Sequence, residues 1–165
     1  MSAMDGSGPR VSSSSGGQTT VTRTGPAWSY HEEKDEFEGR VSKFCTTYSN
    51  DRIKAAFGTE KVMLQLRKRG KNNIDVIIHS DGVVFGHPEG SNKVRLKFDD
   101  ESPFNVGFDG SADSSADTIF LRSSSKIIGK LKTSKKLIIE LPVFMESGQR
   151  ATFDIEGYSE ICKFE

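Results

Sequence analysis

From Trp28 onward, apolar and polar residues alternate with period two, the signature of strands with one buried face. Val62, Leu64 and Leu66 alternate with Met63, Gln65 and Arg67. Ile74, Val76 and Ile78 alternate with Asp75, Ile77 and His79, and Val94, Leu96 and Phe98 with Lys93, Arg95 and Lys97. Phe104, Val106 and Phe108 form a further set, and Leu137, Ile139, Leu141 and Val143 a longer one. Ala151, Phe153 and Ile155 alternate with Thr152, Asp154 and Glu156. One apolar and one wet face per strand is the antiparallel pattern. Turn chemistry falls between the runs. Arg69-Gly70-Lys71-Asn72-Asn73 reads as a hairpin tip, and Ser80-Asp81-Gly82 as a short hairpin between Ile78 and Val83. Gly86 to Asn92 reads as a longer polar loop, and Ser147-Gly148-Gln149 as the turn between the last two strands.

One segment breaks the alternation. Ile127, Ile128 and Leu131 share a helical face, Lys126, Lys130 and Lys132 surround it, and Ser123-Ser124-Ser125 offers an N-cap. Gly129 weakens such a helix by about 1 kcal/mol against Ala, so packing must hold it. Gly157 to Cys162 predicts a short terminal helical turn. The expected fold is mainly β (α+β), an antiparallel β-sandwich-like domain of about eight to ten strands with one principal helix near residues 123–134.

Residues 1–27 contain no Phe, Trp or Tyr and are rich in Ser, Gly and Thr. Such a segment buries too little apolar area to offset its ordering entropy, so it is expected to be a disordered tether ahead of a single domain spanning 28–165. It lacks the apolar core of a signal peptide, so an exported protein would carry its leader outside this chain. No run approaches the roughly 20 apolar residues of a membrane span. Among 165 residues, 23 Lys and Arg balance 23 Asp and Glu, which argues against a dedicated nucleic-acid binder.

Few residues carry candidate chemistry. Cys45 lies in the strand-like run Val41 to Tyr48 and Cys162 near the C-terminus. A bridge between them would staple the terminal segment to the first strand and contribute about 4–5 kcal/mol. It would suit an exported protein, whereas two unpaired thiols, one of them buried, are the alternative. His31, His79 and His87 have no ligand-like spacing, so no metal and no cofactor are expected. Asp109, Asp113 and Asp117 do not fit a calcium loop, and Asp99-Asp100-Glu101 reads as turn chemistry. Ser123 to Lys126 matches S-x-x-K formally, but S-D-N and K-T-G are absent, and the helix cap accounts for the serines. Basic residues gather at Arg67-Lys68-Arg69-Gly70-Lys71, on the strand face Lys93, Arg95 and Lys97, and on the helix at Lys126 and Lys130. The last five form a candidate interaction surface. No aromatic residues interleave with them, so base stacking is unsupported.

Trp28-Ser29-Tyr30 followed by Asp35-Glu36-Phe37-Glu38-Gly39 resembles the opening of a group of uncharacterised bacterial exported proteins and lipoproteins. That group opens with Trp and then an Asp-x-Met-x-Gly-like run, and Phe37 stands here in place of Met. Val94 to Asp99 is similar to the group's V-x-x-R-F-D strand, with Lys97 where Arg is more common. Residues 119–121, 127–132, 137–140 and 153–157 are similar to its final strand–helix–strand–strand block. A more distant likeness is to the type VI secretion accessory proteins of the VasI kind, although their usual paired cysteines have no clear match. The resemblance implies a non-catalytic domain of the periplasm or cell envelope, of unsettled function. Together with the polar tether, the alternating strands and the absent catalytic constellation, it leads to the expectation of a domain that binds an unknown envelope protein through a sheet face or edge. It touches the membrane only through an N-terminal anchor outside this chain. The alternatives are a β-rich small-ligand-binding module with a concave apolar pocket, a type VI accessory role, and a cytoplasmic location. An enzyme is not expected; a cleft joining His79, Asp75 and a serine would argue for one.

Overall fold

The computed structural model describes residues 10–13, 19–86, 92–144, 146 and 148–164. Among them lie eleven strands and two helices: β1 (Arg10–Ser13), β2 (Thr19–Thr24), β3 (Ser29–Lys34), β4 (Val41–Ala55), β5 (Gly58–Arg69), β6 (Asp75–His79), β7 (Lys93–Phe98), β8 (Phe104–Gly110), β9 (Thr118–Leu121), α1 (Ser124–Leu131), β10 (Lys136–Leu141), β11 (Gln149–Asp154) and α2 (Tyr158–Ile161). The fold is mainly β with one principal helix. Nine of these strands lie after Trp28, within the expected range.

All strand pairings are antiparallel, in the order β1-β2-β3-β4-β5-β6-β9-β8-β7-β10-β11. The first six strands follow one another. The chain then moves outward, and β7, β8 and β9 run back until β9 pairs with β6. α1 carries it across to β10 on the far side of β7.

The two apolar faces of the expected sandwich belong to one continuous sheet that curls on itself. β11 lies against the second half of β4. The Thr152 amide donates to Asp51 Oδ1 at 2.9 Å, and the Lys54 amide donates to Gln149 Oε1 at 3.1 Å. These side chains supply partners for backbone donors where the strand ladder has ended. The curl begins at a register shift in β4 between Tyr48 and Arg52. There the buried Ser49 hydroxyl donates to the Asp51 carbonyl at 2.7 Å and accepts from the Val62 amide at 2.8 Å, holding the irregularity in place.

Inside the curl, Leu64, Leu66, Leu96, Phe98, Leu137, Ile139, Ala151 and Phe153 are fully buried, as their alternation predicted. Ile127 and Leu131 add the apolar face of α1 to the same cluster.

Three local expectations need correction. The ordered sheet begins before Trp28, because β2 pairs with β3 from Thr20↔Glu33 to Thr24↔Ser29. Thr19-Thr20-Val21-Thr22 is β-branched throughout, and that preference outweighs the Ser/Gly-rich context. The tether expectation for residues 1–9 and 14–18 lies outside the described residues. Ser80-Asp81-Gly82 turns the chain, with the Val83 amide on the Ser80 carbonyl at 3.1 Å, but makes no hairpin. β6 is already paired on both sides by β5 and β9, so Phe85 bridges to Val143 instead. Finally, Ser123 does not cap α1 with its side chain: it sits at φ 59°, and only its carbonyl receives the Ile127 amide.

Candidate functional site

The sequence's strongest chemical expectation concerns Cys45 and Cys162. The structure joins them in a disulfide with Cα atoms 5.6 Å apart. Cys45 lies in the first half of β4 and Cys162 follows α2, so the bond fixes the C-terminal segment to the sheet. Other contacts support it. The Trp28 indole donates to the Ile155 carbonyl at 2.9 Å and meets Tyr158 edge-on at 5.2 Å. Arg23 Nε donates to the Ile161 carbonyl at 3.2 Å, and Lys43 Nζ donates to that of Phe164 at 3.2 Å. Gly25 permits this approach: a Cβ there would stand 2.9 Å from Ile161 Cγ1. Tyr30, fully buried below, donates to Glu32 Oε2 at 2.7 Å, and burial first, then the Glu32 acceptor, pushes its hydroxyl pKa upward.

The five basic residues do not form one surface. Lys93, Arg95 and Lys97 project from β7 away from the core, whereas Lys126 and Lys130 ride on α1, whose buried face packs into it. On the outer face, Glu140 pairs with Arg150 at 3.1 Å and faces Arg95 at 4.0 Å. Lys126 lies 4.0 Å over the Phe104 ring, and Lys130 pairs with Glu101. Of the five, Arg95 and Lys130 thus face carboxylates, Arg95 through the β7–β10 register.

His79 is the centre of a polar cluster that sequence spacing did not reveal. Its Nε2 is 2.7 Å from Asp81 Oδ1, and its Nδ1 is 2.8 Å from Thr118 Oγ1 and 3.6 Å from Asp117 Oδ1. Ligand atoms of His79, Asp81 and Asp117 lie within 4.8 Å of one another, the one such group among the described residues. Both ring nitrogens are already engaged, and Thr118 donates to Asp117 at 3.0 Å, so the cluster reads as a hydrogen-bond chain. It ties the turn after β6 to the start of β9, helped by the Ser80 amide on the Asp117 carbonyl. Asp75 is not part of it: Arg67 holds that carboxylate at 2.9 Å. The Ser80 hydroxyl is spent on the Lys61 carbonyl at 2.8 Å. The His–Asp75–serine arrangement that would suggest an enzyme is not formed.

The other acidic residues named from the sequence serve local structure. Asp99 accepts from the Lys135 and Lys136 amides, each at 3.0 Å, and Asp109 pairs with Arg122. Asp113 accepts from the Ser111 hydroxyl at 2.6 Å and the Ser115 amide at 3.0 Å, which hold its pKa at about 2.

One end of the curled sheet is unexpectedly apolar. Phe57, at the two-residue tip between β4 and β5, is fully exposed, and Val84 and Phe144 are each 46% exposed. Their three loops adjoin: the Ala56 amide donates to the Gly82 carbonyl at 2.9 Å, and the Phe144 amide to that of Val84 at 2.8 Å. Lys54 and Glu146, 3.7 Å apart, lie beside them. Sequence reading overlooked this end because each residue is a lone apolar position in a loop. Large apolar groups gathered at a surface mark a place for contact with another molecule. No family model, no curated protein and no solved structure matches this chain.

Proposed function

We propose that the protein is a non-catalytic, extracytoplasmic interaction domain of the bacterial cell envelope, which docks another envelope protein through the Phe57–Val84–Phe144 end. The observation that carries the proposal is that three exposed apolar residues sit on three adjoining loops joined by backbone hydrogen bonds. Loops held by a rigid sheet present such a patch at low entropic cost, and aromatic anchors dominate binding energy at protein interfaces. The Cys45–Cys162 bond supports an oxidising compartment. The likeness to exported proteins points the same way. Polar groups near His79 and Ser80 are committed to structural hydrogen bonds, which favours docking over catalysis.

The experiment expresses the full-length gene in its own host with a photo-crosslinking residue at position 57, then fractionates the cells and traps free thiols. The expected result is envelope recovery, both cysteines resistant to alkylation, and one discrete protein adduct. That adduct should be lost in a Val84→Ser/Phe144→Ser variant. Cytosolic recovery with two free thiols overturns the compartment, and an adduct unchanged in the double variant overturns the docking end.

A further inference from the structure

A concave feature lies away from the apolar loops, where α1 and the C-terminal segment meet the turn between β5 and β6. It is a groove of about 700 Å³, within the roughly 300–1,000 Å³ typical of small-molecule sites. Ile74, Ile128, Phe164 and the disulfide-bonded Cys162 give it an apolar floor. Lys68, Lys132 and Lys163 stand around it, and among the described residues no carboxylate lines it and none of the three lysines makes an ion pair. Among the described residues this is a positive rim without a facing carboxylate, in a chain whose net charge is zero.

Tyr158 supplies the further observation. It lines the groove, is only 3% exposed, and its hydroxyl has no hydrogen-bond partner among the described residues. No side-chain polar atom described is both fully enclosed and unpaired, so this hydroxyl is not fully sealed from solvent. A nearly enclosed hydroxyl with no protein partner, on a residue that lines the groove, is a donor open to an acceptor bound there. Burial pushes its pKa upward, which keeps it a neutral donor in alkaline solution.

We propose that this groove binds a small amphiphilic anion, a carboxylate or phosphate head on an apolar body. The lysines attract the head, the Tyr158 hydroxyl donates to one of its oxygens, and the apolar body covers Ile74, Ile128 and Phe164. A simple inorganic anion would leave that floor wet, and a neutral lipid would leave the lysines and the hydroxyl unsatisfied. The groove is built by the disulfide-pinned segment, so it is independent of the docking end around Phe57.

Isothermal titration of the whole chain tests this with dodecanoate, dodecyl phosphate, dodecanol and inorganic phosphate, each below its aggregation limit. The expected result is saturable one-to-one binding of one or both amphiphilic anions, with dodecanol and phosphate each weaker by about tenfold or more. Comparison of dodecanoate with dodecyl phosphate separates a carboxylate head from a phosphate head. Lys132→Glu/Lys163→Glu changes two exposed side chains and should weaken the favoured anion by about tenfold or more. Tyr158→Phe keeps the ring against Trp28 and should weaken it about three- to tenfold. Circular dichroism confirms that each variant is folded; should Tyr158→Phe fail to fold, the charge-reversal variant decides. Absence of saturable binding by both anions, equal affinity for dodecanol, equal affinity for phosphate, or indifference to the charge reversal overturns the proposal.

Discussion

Replacing both cysteines, Cys45→Ala/Cys162→Ala, isolates the thermodynamic work of the crosslink without leaving a lone reactive thiol. The two residues are 117 positions apart, so the bond closes most of the folded chain into a covalent loop. In the chain-entropy description, a loop of that length constrains the unfolded ensemble by about 5 kcal/mol. The folded side should change little. Trp28 still donates to Ile155, Arg23 to Ile161 and Lys43 to Phe164, and Tyr30 still meets Phe164 edge-on at 5.9 Å. Those contacts keep the terminal segment seated, so the loss should come from the unfolded state. Urea titration gives the measurement. Trp28 is the one tryptophan, is buried beside Tyr158, and reports on the pinned region, while circular dichroism reports on the whole sheet. With a denaturant slope of about 2 kcal/mol/M, the variant's midpoint should fall by about 2–3 M, and the two probes should stay coincident. A midpoint within about 0.5 M of the parent would refute the entropic account. An early tryptophan transition with the sheet intact would show that the bond seats the segment locally instead.

Further outcomes follow from packing and local chemistry. Gly129→Ala should stabilise the protein by about 0.8–1 kcal/mol in thermal melts, since a Cβ there meets nothing within 4 Å; a neutral result would mean α1 contributes little to the folded state. Phe153→Ala removes a fully buried ring and should cost about 3–5 kcal/mol in urea, whereas Phe57→Ser should stay within about 0.5 kcal/mol of the parent. The Asp113 carboxyl should titrate near 2 by carbon NMR, and Ser111→Ala should move it upward toward 3.8. Its folded value is depressed, so any stability it lends is present above the unfolded value and lost as pH falls through about 2; a midpoint near 3.8 in the parent would show the Ser111 bond does not persist in solution.

The strands were legible wherever alternation was uninterrupted, because burial on one face demands it: Val62 to Leu66, Val94 to Phe98 and Ala151 to Ile155 all bury the predicted side. α1 was legible from Ile127, Ile128 and Leu131. β2 was hidden because its Thr-rich run sits among Ser and Gly, and composition averaged over the segment masks a local β preference. The Ser80-Asp81-Gly82 turn misled because turn chemistry is local, while strand pairing is decided by which edges remain open. Of the candidate sites, the cysteines were readable as a pair but not as a distance. The His79 cluster needs Asp117, 38 residues away, and β6 must pair with β9 before the two can meet. The groove draws on Lys68, Ile74, Ile128 and Tyr158, which only the crossover of α1 and the return of the C-terminal segment bring together.

The disulfide also changes how the molecule would carry tension. Pulling on β2 and on the last described residues loads a path that passes from Cys45 directly to Cys162, bypassing every strand between them. The curled sheet and its apolar loops would therefore hang outside the line of force, keeping their shape while β2 and β3 peel away. Cutting that one bond would reroute the strain through the core.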